Sequence, residues 1–115
     1  MSIIIFHNPR CSKSRQTLAL LEENGVTPEV FEYLKTPVSK ELLASVVTKL
    51  GVNVRDIIRS KETEYKETGL DNTSLTDDEI LTILTDSPKL IERPIVINGD
   101  KAAIGRPPEN VLAIL

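Results

Sequence analysis

The order of apolar and polar residues predicts a strand–helix–strand unit at the start of the chain. Residues 3–6 (IIIF) form a continuous apolar run rich in β-branched residues, which is typical of a strand buried on both faces. Apolar residues at helical spacing follow between Ser14 and Asn24, and Gly25 supplies a typical helix end. Residues 30–34 (VFEYL) predict a second strand. A unit of this kind implies two parallel strands joined by a right-handed crossover.

A helical region is predicted after this unit. Ser39 is a candidate N-cap for a helix with a single apolar stripe, and Gly51 is placed to end that helix. A short helix is expected to begin near Asn53. Thr76 opens the pattern TDDE, which matches a capping box, so a further helix is predicted over about 77–85.

The C-terminal part of the chain has the pattern of a β-hairpin. Two short apolar runs, 95–97 and 102–104, flank the turn sequence NGD at 98–100. Pro107 then suits the first turn of a final helix.

The predicted order of elements is βαβ, a helical insertion at about 38–88, and then ββα. This order describes an α/β fold with a thioredoxin-like mixed sheet and helices on both sides. A chain of 115 residues has the size of one ordinary domain, so we expect a single domain over residues 1–115. We also expect a monomer.

Charge and aromatic content argue against two classes of partner. The formal net charge is -3, with no Trp and only two Tyr and two Phe. Nucleic acids and anionic membranes are normally bound by basic surfaces, so neither is an expected partner. No apolar run approaches the roughly 20 residues of a membrane span, and the start of the chain lacks the pattern of a signal peptide. With a single cysteine, the protein is expected to be cytoplasmic and to carry a reduced thiol.

Cys11 and His7 are the only residues of their types and lie close together. If a helix begins just after Cys11, its sulfur lies among unpaired backbone N–H groups, which favour a thiolate and can bind an oxyanion. The thiolate would also be favoured by the positive charges of Arg10, Lys13, Arg15 and a protonated His7. The alternatives are that Cys11 is a small buried hydrophobe and that His7 only hydrogen-bonds the loop. No metal site is expected, because the chain offers no second Cys or His.

The hairpin pattern brings two arginines together. A two-residue turn at Gly99-Asp100 places Arg93 opposite Arg106, whereas a turn at Asn98-Gly99 offsets them diagonally but keeps both on one face. Two like charges placed in this way are destabilising unless an anion lies between them. We therefore predict an anion clamp, the alternative being two solvated charges at the base of the hairpin. Because Pro94 would begin a strand that faces the thiol, we also predict a cis Arg93–Pro94 bond.

Five segments of the chain resemble the glutaredoxin-coupled arsenate reductases, in order and over essentially the whole length. They are HNPRCSKSR at 7–15, VRDIIR at 54–59, EYKETGL at 64–70, LIERPIVI at 90–97 and GRPPENVL at 105–112. The first reproduces the pattern His-Asn-Pro, one residue, Cys, two residues, Ser-Arg. The chain ends at Leu115, where well-known plasmid-borne members continue with a polar tail, so it resembles a short member of that family.

The resemblance implies a thioredoxin-like fold with a helical insertion and an arsenate reductase active site. The implied site residues are Cys11 as nucleophile with His7 near the thiolate, Arg59, Arg93 and Arg106 for the oxyanion, Pro94 beside the site, and Asn8, Ser14 and Arg15 in the loop. The pattern of the chain alone does not say where Arg59 points, and without the resemblance it would be read as a solvated charge.

The resemblance also implies the partners of the reaction. They are arsenate or a similar oxyanion as substrate, glutathione as co-substrate and glutaredoxin as partner protein, with no bound cofactor. The alternative is a thiol-based regulatory or partner-binding adaptor of the Spx type without arsenate turnover. Most such regulators carry a Cys-x-x-Cys switch, whereas this chain has Ser14 at the position of the second cysteine.

Overall fold

The computed structural model describes residues 3–115 and contains a four-stranded mixed sheet. The strands are β1 (Ile3–Phe6), β2 (Glu29–Phe31), β3 (Ile95–Asn98) and β4 (Lys101–Ile104). Their order in the sheet is β2-β1-β3-β4. Strand β1 is parallel to β2 and antiparallel to β3, and β3 is antiparallel to β4. The predicted strand–helix–strand unit and the predicted hairpin are both present.

Helices connect and cover these strands. The α-helices are α1 (Ser12–Glu23), α2 (Lys40–Leu50), α3 (Glu64–Glu67) and α4 (Asp77–Asp86). The 3₁₀ helices among the described residues span Val54–Ile57, Pro88–Leu90 and Pro108–Ile114. The predicted caps are confirmed, since Ser39 accepts a hydrogen bond from the Leu42 N–H and Thr76 forms a full capping box with Glu79.

The hairpin has the first of the two registers that the sequence allows. Ile95 pairs with Ile104 and Asn98 pairs with Lys101, so Gly99 and Asp100 form a two-residue turn. Gly99 has φ 62°, and no non-glycine residue in the described chain has a positive φ. This combination matches a type II′ turn, in which only the first central residue needs a positive φ.

The described chain divides into two compact units. One comprises residues 3–36 and 93–115 and the other residues 37–92. In the first unit, α1 and the C-terminal 3₁₀ helix pack on one face of the sheet, around a buried cluster of Ile5, Leu21, Val96, Val111 and Ile114. The second unit contains the segment predicted as a helical insertion, and there α2 packs against α4. That the whole chain acts as one domain stays a prediction.

Two predicted elements differ from the structure. Strand β2 ends at Phe31 rather than at residue 34, because the N–H groups of Lys35 and Thr36 both turn back to the Glu32 carbonyl. The final helix is a 3₁₀ helix that begins at Pro108, and Pro107 lies outside it with an extended ψ of 164°. A residue that precedes a proline is disfavoured in the helical region, so Pro108 itself keeps Pro107 out of the helix.

Candidate active site

Cys11 occupies the N-cap position of α1, as the sequence predicts. It has extended backbone angles, φ -90° and ψ 122°, and its carbonyl accepts the first helical hydrogen bond from the Arg15 N–H. The Cys11 N–H donates to the Asn8 carbonyl at 2.9 Å, which closes a tight loop before the helix. Since the first-turn N–H groups of a helix have no intrahelical partner, the Cys11 sulfur lies at a point of positive electrostatic potential. The residue is 8% exposed.

Arg106 reaches the Cys11 sulfur from the other end of the chain. Its Nη2 lies 3.6 Å from Cys11 Sγ, and its Nε donates to the Arg93 carbonyl oxygen at 2.7 Å. The planar guanidinium makes both contacts at once because its donors point in fixed directions. A cation in this position is the kind of neighbour that stabilises a cysteine thiolate.

Arg93 and Arg106 lie together at the base of the hairpin. The Gly105 N–H donates to the Pro94 carbonyl at 2.9 Å, which continues the β3–β4 pairing one step beyond the strands. The Arg93–Pro94 bond is cis, as predicted, and so is the Arg106–Pro107 bond, which was not predicted. The hairpin therefore brings the two predicted arginines together, while their function as an anion clamp stays a prediction.

His7 is buried and bonded to Ser14. Its Nδ1 lies 2.6 Å from Ser14 Oγ, which also accepts the Asn8 N–H at 3.0 Å. The Ser14 hydroxyl can donate one hydrogen bond and accept two, so the tautomer of the His7 ring decides which of the two groups donates in this bond. Burial lowers the pKa of His7 below 6.5, and although Glu32 opposes this effect, Arg15 adds to it.

Burial bears on one of the two functions that the sequence left open for His7. A protonated imidazolium would favour the thiolate directly, but burial favours the uncharged ring. The contacts described for His7 instead support the loop, through Ser14 and through its own N–H, which donates to the Phe31 carbonyl at 2.9 Å. The alternative kept open by the sequence, a histidine that hydrogen-bonds the loop, fits these contacts.

The other predicted loop residues also brace the backbone before Cys11. Asn8 Oδ1 accepts the Arg10 N–H at 3.0 Å, and Arg15 Nη1 donates to the Pro9 carbonyl at 2.9 Å. These side-chain bonds hold a short turn in one conformation. The arginine at position 15 is thus engaged with the loop backbone.

Arg59 lies in the second unit, and all the contacts described for it are made there. Its Nη2 forms an ion pair with Glu62 Oε1 at 2.6 Å, and its Nη1 donates to the Lys89 carbonyl at 3.4 Å. Its backbone N–H donates to the Leu90 carbonyl at 2.8 Å. The pairing with Glu62, three residues later, was not foreseen, and the function of Arg59 as an oxyanion ligand stays a prediction.

The sequence analysis missed the contact between Thr17 and Gly105. Thr17 is a buried polar residue on α1, and its Oγ1 donates to the Lys13 carbonyl at 2.8 Å and lies 3.5 Å from the Gly105 carbonyl. Two features of the sequence could have pointed to it. Thr17 and Ser14 are polar side chains at inward-facing helical spacing, and Gly105 directly precedes the Arg106-Pro107 pair.

Among residues 3–115, no group of three or more His, Cys, Asp or Glu side chains is arranged to hold a metal ion. None of the helices within that range combines the length and apolar character that a bilayer crossing requires.

Comparison with known proteins places the chain in a family. The model of the ArsC family matches residues 6–114. The chain belongs to the ArsC family. A Haemophilus influenzae protein named arsenate reductase is 53% identical over 116 residues and matches along the full length of both chains. The Escherichia coli K-12 protein YfgD, named as uncharacterized, is also 53% identical, over 96% of this chain and 94% of its own.

A solved structure of an ArsC-type protein has the same fold. The arsenate reductase from Vibrio cholerae superposes with a TM-score of 0.97 and 52% identity, covering 100% of this chain and 98% of that chain. ArsC membership confirms the resemblance drawn from the sequence motifs. The Vibrio structure confirms the predicted thioredoxin-like fold.

Proposed function

We propose that this chain is an arsenate reductase that takes its electrons from glutathione and glutaredoxin. The observation that supports the proposal most strongly is the Arg106 guanidinium, 3.6 Å from the Cys11 sulfur and bonded to the Arg93 carbonyl. A thiol nucleophile beside a guanidinium is what an attack on a tetrahedral oxyanion requires. The names of its ArsC relatives support the choice of arsenate as the oxyanion.

In the first step the Cys11 thiolate attacks the arsenic atom of arsenate. An S–As bond forms, and one arsenate oxygen leaves as water after taking up protons. Arg93 and Arg106, with Arg59 as the third expected ligand, balance the negative charge that grows on the remaining oxygens. Arsenic is still pentavalent after this step.

The next steps move two electrons to arsenic. The thiol of glutathione replaces a second oxygen, which leaves as water, and an As–S bond to glutathione forms. A glutaredoxin thiolate then attacks the glutathione sulfur, a mixed disulfide forms, and the electron pair of the broken As–S bond reduces arsenic to the trivalent state. Hydrolysis of the remaining S–As bond uses one water, releases arsenite and restores the Cys11 thiolate.

The single cysteine fits this sequence of steps. The chain has no second thiol that could form an internal disulfide with Cys11, so both electrons must come from other molecules. Glutathione is the abundant small thiol of reducing compartments, and this is why we place the reaction in the cytoplasm.

A coupled assay tests the proposal. Arsenate is added to the protein with glutathione, glutaredoxin, glutathione reductase and NADPH, and NADPH oxidation is followed. The wild-type chain is expected to turn over, whereas Cys11→Ser is expected to show only the background rate, because the serine hydroxyl stays protonated at neutral pH. Equal rates for the two proteins would end the reductase proposal.

The same assay separates the two thiol donors and the adaptor alternative. Omission of glutaredoxin should lower turnover to the rate that glutathione alone supports. A protein that binds partners through Cys11 but does not reduce arsenate would give no NADPH oxidation under any of these conditions. That outcome would favour a regulatory adaptor.

A further inference from the structure

The segment that carries Arg106 packs tightly against helix α1. Gly105, directly before Arg106, is buried, and its carbonyl lies 3.5 Å from Thr17 Oγ1. Thr17 is fully buried on α1, and its hydroxyl is also tied to the Lys13 carbonyl of the same helix. The contact thus joins the end of β4 to the helix whose N-cap is Cys11.

This packing leaves no room for a side chain at position 105. A Cβ atom built on Gly105 would lie 2.5 Å from Thr17 Oγ1, 3.0 Å from Thr17 Cγ2 and 2.8 Å from Pro94 Cγ. These distances are well below van der Waals contact, which lies near 3.5 Å or more. Thr17 is fully buried and Pro94 is a ring at the start of β3, so neither can simply move away.

Gly105 differs in this respect from the other glycines of the fold. Gly25, Gly51, Gly69 and Gly99 have positive φ values, whereas Gly105 does not. A Cβ on Gly25, Gly51 or Gly69 would meet nothing within 4 Å. Position 105 therefore requires glycine because the side chains of Thr17 and Pro94 lie so close to it, and not because of its φ angle.

We propose that Gly105 and Thr17 are positioning residues that set how close the Arg106 guanidinium stands to the Cys11 sulfur. Cys11 and Thr17 share one rigid helix, and Gly105 and Arg106 are adjacent in the chain. A side chain at position 105 would push the backbone there away from Thr17. The backbone of Arg106 would then shift relative to Cys11. The inference rests on the proposed function only in taking Cys11 as the nucleophile that this guanidinium serves.

The experiment measures how reactive Cys11 is in the absence of arsenate. The rate of alkylation by iodoacetamide is recorded as a function of pH, and the rate at pH 7 is divided by the plateau rate at high pH. The ratio reports the ionised fraction of the thiol, because changes in steric access cancel. In Gly105→Ala the ratio is expected to fall by about threefold or more, because the Arg106 guanidinium would lie farther from the Cys11 sulfur.

A second substitution tests whether Thr17 is the cause. The double variant Gly105→Ala/Thr17→Ala removes two of the three close contacts, so it is expected to fold and to recover most of the wild-type ratio. If Gly105→Ala lowered the ratio only by destabilising the protein, Thr17→Ala would lower it further, because it removes more buried atoms. Recovery of the ratio would therefore identify the contact with Thr17 as the cause. If Gly105→Ala does not fold by itself, the double variant alone is compared with wild type.

Gly25→Ala is the matched control. It lies in the same unit and is also a glycine-to-alanine change, but its cost comes from a φ of 77° and not from a contact. It is expected to lower the thermal midpoint and to leave the alkylation ratio unchanged.

Three outcomes would overturn the proposal. They are a folded Gly105→Ala with the wild-type ratio, a double variant with a ratio as low as that of Gly105→Ala, and a double variant that does not fold. Arsenate turnover is measured separately on the same proteins. A wild-type protein with a reactive Cys11 but no turnover would defeat the proposed function and leave the positioning role standing.

Discussion

At the scale of the residue, the site depends on the shape of one guanidinium group. Arg106 bonds the Arg93 carbonyl through Nε while Nη2 contacts the Cys11 sulfur. A lysine in its place keeps the charge but has one compact ammonium group, which cannot reach both partners in this fixed geometry. A positive charge alone is therefore not sufficient at position 106 to make both contacts.

Arg106→Lys tests that conclusion. Loss of one hydrogen bond to a charged group is worth about 1.5–3 kcal/mol, so arsenate kcat/KM is expected to fall by about tenfold or more. Arg55→Lys is the matched control, because the Arg55 guanidinium bonds the carbonyls of Leu70 and Asn72 within the second unit. Steady-state kinetics for the two variants make the comparison. Full activity in Arg106→Lys would show that the fork shape is irrelevant.

The protonation of His7 predicts how stability depends on pH. The folded pKa lies below the unfolded value of 6.5, so the stabilising contribution of neutral His7 is fully present above that value. It is lost as pH falls through the lowered folded pKa. His7 is the only histidine, and carboxylates titrate mainly below this window. Wild-type stability is therefore expected to fall between pH 7 and pH 5.

His7→Asn is the variant that isolates this effect. An asparagine amide offers both an acceptor and donors, so it can take the place of His7 Nδ1 in the bond to Ser14, but it does not titrate. Urea unfolding at several pH values is expected to give a flatter stability profile for the variant across the same window. A wild-type profile and a variant profile of equal slope would mean that His7 does not contribute.

At the scale of the element, the features that depend on neighbouring residues in the sequence could be predicted. The register of the hairpin follows from a period of two and a Gly-Asp turn, so the proximity of Arg93 and Arg106 could be inferred before the structure was known. The N-cap position of Cys11 likewise follows from where α1 begins. The final helix was predicted one residue too early, because the effect of Pro108 on the preceding residue was not weighed.

Contacts between distant segments could not be predicted in the same way. The local pattern marks Thr17 as an inward-facing polar residue, but it does not say that the Thr17 hydroxyl meets the backbone of Gly105, 88 positions later. The neutral state of His7 also depends on burial, which is a property of the assembled fold. Sequence reasoning therefore located the loop and the hairpin but not the packing that joins them.

At the scale of the whole molecule, the second unit supplies the third arginine that is expected to bind the oxyanion. Two arginines of the segment VRDIIR differ in their surroundings. The Arg55 guanidinium is bound by two backbone carbonyls, at 2.8 Å and 2.7 Å, which indicates a structural function. Arg59 is held by a partly exposed carboxylate, that of Glu62. A carboxylate partner can be exchanged for an incoming oxyanion at little net cost, whereas two bonds to backbone carbonyls that hold a loop in place cannot.

This difference predicts opposite effects for two alanine substitutions. Arg59→Ala is expected to lower arsenate kcat/KM by about tenfold or more and to change the free energy of unfolding by less than about 1 kcal/mol. Arg55→Ala is expected to lower that free energy by about 1–3 kcal/mol with turnover retained at temperatures where it is folded. Cys11 alkylation should be normal in both, because its described guanidinium contact is with Arg106. If Arg59→Ala retained full activity, the second unit would supply no oxyanion ligand through this residue, and the site would have to work with the two arginines of the hairpin.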